Sequence, residues 1–154
     1  VAQVAGFADT LVHDIEVEDC ASATLRFRSG AQGLIQGTTC TYQGKPARLE
    51  VHGELGNAVV LGDQIQLWEV EGDETEWNPT AGSSGAASDP RHGMIGLAVQ
   101  AHMEQIEDLI EAIEEGREPL LNGLEARRAV ELILAIYRSS AEGQVVSLPL
   151  KPAP

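Results

Sequence analysis

The hydrophobic period of this chain changes once, and that change constrains the fold more than any other feature. Up to residue 70 the apolar residues alternate; from residue 99 they recur every three or four positions. Strands therefore come first and helices last. Val4, Gly6, Ala8 and Thr10 interleave with Ala5, Phe7 and Asp9 in the first strand. In "CASATLRF", Ala21, Ala23, Leu25 and Phe27 share one face, with Ser22, Thr24 and Arg26 on the other. "GLIQGTTCTY", "ARLEVHG", "AVVL" and "QIQLWEV" follow, separated by the short turns "RSGAQ", "QGKP", "ELGN" and "GD". About six strands joined in this way predict an open, mainly antiparallel sheet.

Residues 72–94, "GDETEWNPTAGSSGAASDPRHGM", carry Gly, Ser, Pro and Asp with no period and read as a flexible loop. Two helices follow. Val99, Met103, Ile106, Leu109, Ile110 and Ile113 form the stripe of the first, which Gly116 stops. Asn122 with Glu125 opens the second as a variant capping box, and Ala126, Ala129, Val130, Ile133, Leu134 and Tyr137 form its stripe. "QVVSLPL" ends the domain as a short strand. The expected fold is α+β: one open sheet with both helices packed on one face. Residues such as Ser22, Thr24, Thr39 and Thr41, or their alternates, fall to the opposite face. That face lacks the dense charge of a solvated surface and reads as an oligomer interface. A homodimer or higher homo-oligomer through it is expected. Such a pairing repeats one patch on both partners and buries at least about 1,200 Å².

The 154 residues suit a single domain spanning 1–154, and 43% hydrophobic with 22% charged residues is a globular composition. A formal net charge of −14 argues against nucleic acid and against anionic membrane surfaces. No apolar run is long enough for a membrane span. Cys20 and Cys40 fall in predicted strands and outside any metal-ligand spacing. They allow a disulfide but fit free thiols in a reducing compartment better, so cytoplasmic is the expected location.

Glycine-rich nucleotide turns, metal-binding helix motifs and nucleophile elbows are absent from the sequence, and its four histidines are too scattered to suggest a metal. His13 sits in an acidic turn and reads as solvated; His52 reads as a surface histidine beside Arg48 and Glu50. Trp68 and Trp77 read as core or loop anchors, and the carboxylates of "EQIEDLIEAIEE" as a solvated helix face. His102 opens the first helix just after the long loop, where it could face a cleft or serve as a cap. Tyr42, at the end of a strand, suits a pocket or an edge contact. With His92 in the loop, these are the candidate substrate-binding residues. No catalytic, cofactor-binding or metal residue is assigned.

Two stretches together go further. "IEVEDCASATLRFRSGAQGLIQGTT" followed by "GKPARLEVHGELGNAVV" resembles the central sheet of the Gfo/Idh/MocA oxidoreductases. The closing segment is similar to theirs as well: an E-G-R-x-P turn, here Glu115-Gly116-Arg117-Glu118-Pro119, joins the helices. Then A-I-Y-x-S runs from Ala135 to Ser139, and the domain ends at Leu148-Pro149. The resemblance implies that Val1 is an internal residue and that this is a C-terminal domain. A Rossmann domain binding NAD or NADP, with the family's E-K-P lysine and D-x-x-x-H pair, would lie upstream. The whole protein would then transfer hydride between the nicotinamide and a carbinol carbon of a sugar, cyclitol or related polyol. This domain would supply the substrate-side wall and the oligomer interface, and alone would be inactive. Lys45 precedes a Pro but lacks the Glu of the motif, so no catalytic residue carries over. The competing expectation is a non-catalytic stand-alone binding or assembly module that shares the fold. A glycine-rich turn and an E-K-P motif upstream would decide for the enzyme.

Overall fold

A computed structural model of the chain describes residues 1–62, 64–73 and 90–151, with the backbone alone for 90–101. Its elements are β1 (Gln3–Asp9), β2 (Cys20–Arg26), β3 (Gln32–Thr38), β4 (Arg48–Gly53), β5 (Gly56–Leu61), β6 (Gln64–Val70), α1 (Pro90–Glu115), α2 (Gly123–Glu142) and β7 (Val146–Ser147). The strands form two antiparallel sheets rather than the one expected: β3-β2-β1-β7 and β4-β5-β6. The split falls at "QGKP". There Gln43 and Gly44 take successive left-handed conformations, φ +62° and +55°. Pro46 then follows with no N–H to donate. The chain stays outside any strand from Thr39 to Ala47, and β4 pairs with β5 and not with β3. Two compact bodies result, Val1–Tyr42 with Asp108–Pro154, and Gln43–Glu107.

In the first body the register places Val4, Leu25 and Gly33 side by side, then Gly6, Ala23 and Ile35. Val4, Ala23 and Leu25 are buried with Ala135 and Ile136 of α2 and Val146 of β7. Small residues let helix and sheet come close. A Cβ on Gly6 would lie 2.8 Å from the Ser22 carbonyl oxygen and 3.2 Å from Ile136 Cγ2. The two-residue β7 pairs only with Gln3 and Val4, leaving the rest of the β1 edge without a strand. Two serines of α2 complete it. Gly6 N–H donates to Ser139 Oγ at 3.1 Å, and Ser139 Oγ donates to the Gln144 carbonyl at 2.5 Å. Ala8 N–H donates to Ser140 Oγ at 2.9 Å. Helix hydroxyls thus satisfy an edge whose free N–H groups would otherwise be costly to cover.

Asn122 caps α2 as expected, but the Glu125 carboxylate accepts from Arg128 Nη1 at 2.7 Å rather than reaching back as in a capping box. Asn122 Oδ1 accepts from the N–H groups of Leu124 and Glu125, and Gly143 closes the helix at φ +62°. Helix α1 begins at Pro90, so residues 90–94 belong to a helix and not to the expected loop; residues 74–89 lie outside the described residues. Proline is well suited to a helix's first turn, where its missing N–H costs nothing. The expectation that both helices pack on the sheet is half met. α2 packs on β1 and β7, whereas Met103, Ile106, Leu109, Ile110 and Ile113 of α1 stay 48–73% exposed. Periodicity shows that a helix has an apolar stripe; it does not say what covers it.

In the second body Glu50, Val59 and Leu67 share one face of the sheet, and Val51, Ala58 and Trp68 share the other. A bulge sits between Val59 and Val60. Val59 is the buried apolar residue there among the described residues.

Candidate functional site

The open face of the four-stranded sheet is read directly from the register. Gln3, Arg26 and Gln32 form one row; Ala5, Thr24 and Leu34 the next; Phe7, Ser22 and Gln36 the third. Phe7 is 71% exposed and Leu34 83%. Ser22 and Thr24 fall on this face as expected, whereas Thr39 and Thr41 lie beyond the end of β3. Arg26 Nη1 donates to Gln3 Oε1 at 3.3 Å, and the hollow of about 270 Å³ around them also touches Ala5, Thr24 and Gln32. The centre of the face is thus small, uncharged or apolar, with Arg26 at one end and Asp9 at the other.

A second feature lies where the loop after β1 meets the end of β3. Asp19, with no exposed side-chain surface, accepts the N–H of Leu11 on Oδ1 at 2.7 Å. Its Oδ2 accepts the N–H groups of Val12 at 2.9 Å and His13 at 2.8 Å. Backbone donors, His13 first and Leu11 next, hold its carboxyl far below the usual carboxylate range. His13 Nδ1 stands 3.0 Å from Asp19 Oδ2. His13 is therefore tied to a buried carboxylate and is not simply solvated. Cys40 lies past the end of β3, not inside it, and its Sγ donates to the Asp19 carbonyl at 3.3 Å. The Thr38 side chain favours the Cys40 thiolate, but burial and the Asp19 carboxylate outweigh it and push the thiol up. Cys20 and Cys40 are both free thiols. Tyr137 of α2 also holds this loop, donating to Glu18 Oε1 at 2.5 Å.

The sequence missed this group because its members lie far apart. His13 and Asp19 share an irregular loop, and Cys40 arrives only after the β2–β3 hairpin has returned the chain. The candidate substrate residues Tyr42, His102 and His92 are not members of this group. Tyr42 is 85% exposed just after β3, and His102 is exposed on α1. The backbone of His92 is in α1; its side chain is outside the described residues, as is Trp77. His52 is the surface histidine expected. Its Nδ1 faces Asn57 Oδ1 at 3.0 Å and its Nε2 faces Glu50 Oε2 at 3.1 Å. With an acceptor on each ring nitrogen, Asn57 first and Glu50 next, its pKa is raised. Trp68 Nε1 donates to Asp73 Oδ2 at 2.7 Å, an anchor at the end of β6.

The E-G-R-x-P turn is structural. Arg117 donates to Asp108 at 2.8 Å, Glu115 at 2.9 Å and Glu111 at 3.3 Å, while Asp108 Oδ2 accepts the N–H of Leu120 at 2.7 Å. Three acidic residues expected on a solvated face thus meet one guanidinium that locks the helix junction. Arg117 first, and the Leu120 N–H next, lower the pKa of Asp108.

The comparisons with known proteins agree with this architecture. The profile of the oxidoreductase family C-terminal alpha/beta domain matches residues 1–148. Inositol 2-dehydrogenase of Rhizobium meliloti (strain 1021) is 28% identical over 148 residues, 96% of this chain and 42% of that protein. The WlbA dehydrogenase of Bordetella pertussis, solved with NADH and UDP-GlcNAcA, superposes with a TM-score of 0.76 at 28% identity. That alignment covers 98% of this chain and 43% of the other. Aldose-aldose oxidoreductase of Caulobacter crescentus shares the fold, with a TM-score of 0.65 at 23% identity over 96% of this chain and 41% of its own. The chain therefore spans less than half the length of the relatives it matches. Among the described residues no helix is long and apolar enough to cross a membrane. The chain belongs to the Gfo/Idh/MocA oxidoreductase family, whose C-terminal alpha/beta domain it carries.

Proposed function

We propose that this chain is the substrate-side and assembly domain of an NAD(P)-dependent oxidoreductase acting on a sugar, cyclitol or related polyol. The observation that carries the reading is the match of residues 1–148 to the oxidoreductase C-terminal domain. The likeness to an inositol dehydrogenase and to a dehydrogenase solved with NADH and a nucleotide sugar supports it. The nicotinamide supplies the hydride chemistry, and a preceding nucleotide-binding domain would hold it. This chain's part is to shape the pocket and to join protomers. His102, Tyr42 and His92 are proposed as the residues that reach substrate. The open sheet face, with Phe7 and Leu34 at its centre, is proposed as the contact between copies. It offers apolar anchors with little charge, the composition of an interface core.

Steady-state assays of the full-length protein against sugars, cyclitols and polyols, with NAD⁺ and NADP⁺ in turn, test the reading. Formation of reduced nicotinamide with at least one of them is the expected result. No turnover with any combination would contradict it. In the same enzyme His102→Ala should raise KM or lower kcat with the fold intact, and unchanged kinetics would remove His102 from the site.

A further inference from the structure

The group around Asp19 has the composition of a transition-metal site. One ligand atom each from His13, Asp19 and Cys40 lies within 4.8 Å of the other two. Imidazole nitrogen, carboxylate oxygen and thiolate sulfur together suit zinc and its neighbours better than magnesium or calcium, which prefer oxygen alone. With metal–ligand bonds of about 2.0–2.3 Å, donors in a tetrahedral site stand roughly 3.4 Å apart. Closing the group around an ion therefore takes side-chain movement of the order of 1 Å. The two ligands that would have to move can do so: the His13 side chain is 46% exposed, and Cys40 is partly exposed.

Asp19 need not move. The N–H groups of Leu11, Val12 and His13 already fix its carboxylate, as outer partners fix the ligands of established metal centres. Oδ1 carries a single N–H bond and keeps a lone pair for a cation. His13 is the side chain of potentially positive charge that reaches this buried carboxylate among the described residues. A surface with a formal charge of −14 also concentrates cations around it.

We propose that His13, Asp19 and Cys40 bind a zinc-class divalent transition ion through three protein ligands, with the fourth position open to water. Binding replaces the His13–Asp19 hydrogen bond with coordination. The Cys40 thiol proton leaves to solvent as its sulfur becomes a thiolate ligand. His13 enters as the neutral ring, with its proton on Nε2. The ion then pins the loop between β1 and β2 to the segment after β3.

Titration of the full chain with Co²⁺ alone, followed in the near ultraviolet, tests this. A sulfur-to-cobalt charge-transfer band that saturates at one ion per chain and is displaced by Zn²⁺ is expected. Cys40→Ser should abolish the band, His13→Ala should weaken binding at least tenfold (~1.4 kcal/mol), and Cys20→Ser should leave both unchanged. Alkylation of the unsubstituted chain by iodoacetamide gives a reading that does not depend on any variant's folding. Zn²⁺ should protect Cys40 and not Cys20, as mapped by mass spectrometry. Absence of the charge-transfer band, its loss on replacing Cys20, or equal alkylation of Cys40 with and without Zn²⁺ would overturn the site.

Discussion

The two faces of the four-stranded sheet come from the same strands, one residue out of phase, and end in opposite surroundings. On one, Val4, Ala23 and Leu25 are buried under Ala135 and Ile136. On the other, Phe7 and Leu34 are 71% and 83% exposed among Ser22, Thr24 and Gln36. Alternation alone made both faces, and the helix decided between them. α2 chose the side where Gly6 and Ala23 allow close approach and where the β1 edge offers N–H groups to Ser139 and Ser140. The centre of the open face is uncharged without being buried, which suits a protein partner better than water.

Substitutions that respect this asymmetry should separate folding from assembly. Gly6→Leu strikes the helix side hardest, because the new side chain meets the Ser22 backbone, which cannot move aside cheaply. A loss of about 3 kcal/mol is expected from the urea midpoint. Ser139→Ala comes next. It strips the partner from the Gly6 N–H and from the Gln144 carbonyl at a buried position, which should cost about 2 kcal/mol. Asn122→Ala leaves the packing alone and removes the α2 cap, for about 1 kcal/mol. On the open face, Phe7→Ser should move the midpoint by no more than about 0.5 kcal/mol, measured where the chain is monomeric. A large loss there would mean that the face is part of the folding core.

Acid unfolding probes the Asp19 loop at the rim of the same sheet. The folded carboxyl titrates below its unfolded value of about 4. Its stabilisation is therefore complete above that pH and drains away as pH falls toward the folded value. Unfolding followed by circular dichroism should show an acid limb that shrinks in Asp19→Asn. An identical limb in the variant would assign acid sensitivity to other carboxylates.

Much of this was legible in the chain and some was not, for physical reasons. Strands announce themselves through alternation, and α2 through Asn122 and Gly143, because those signals are local. Partition into two sheets was hidden, since strand pairing is non-local and a turn such as "QGKP" reads the same whether or not the strands on either side of it pair. Ser139 stood in the A-I-Y-x-S motif without an apparent role; its role is to complete the β1 edge. Arg117 stood in its motif likewise, and gathers three carboxylates at the helix junction. The His13–Asp19–Cys40 group could not be read from spacing, because a hairpin and an irregular loop bring it together.

Sedimentation velocity at micromolar concentration, on the chain and on a Phe7→Glu, Leu34→Glu double variant, tests the central claim that the open face joins two copies. The account predicts a dimer for the unsubstituted chain and a folded monomer for the variant, whose two new carboxylates would be buried unpaired at the contact. An unsubstituted chain that stays monomeric, or a variant that remains dimeric, would contradict it.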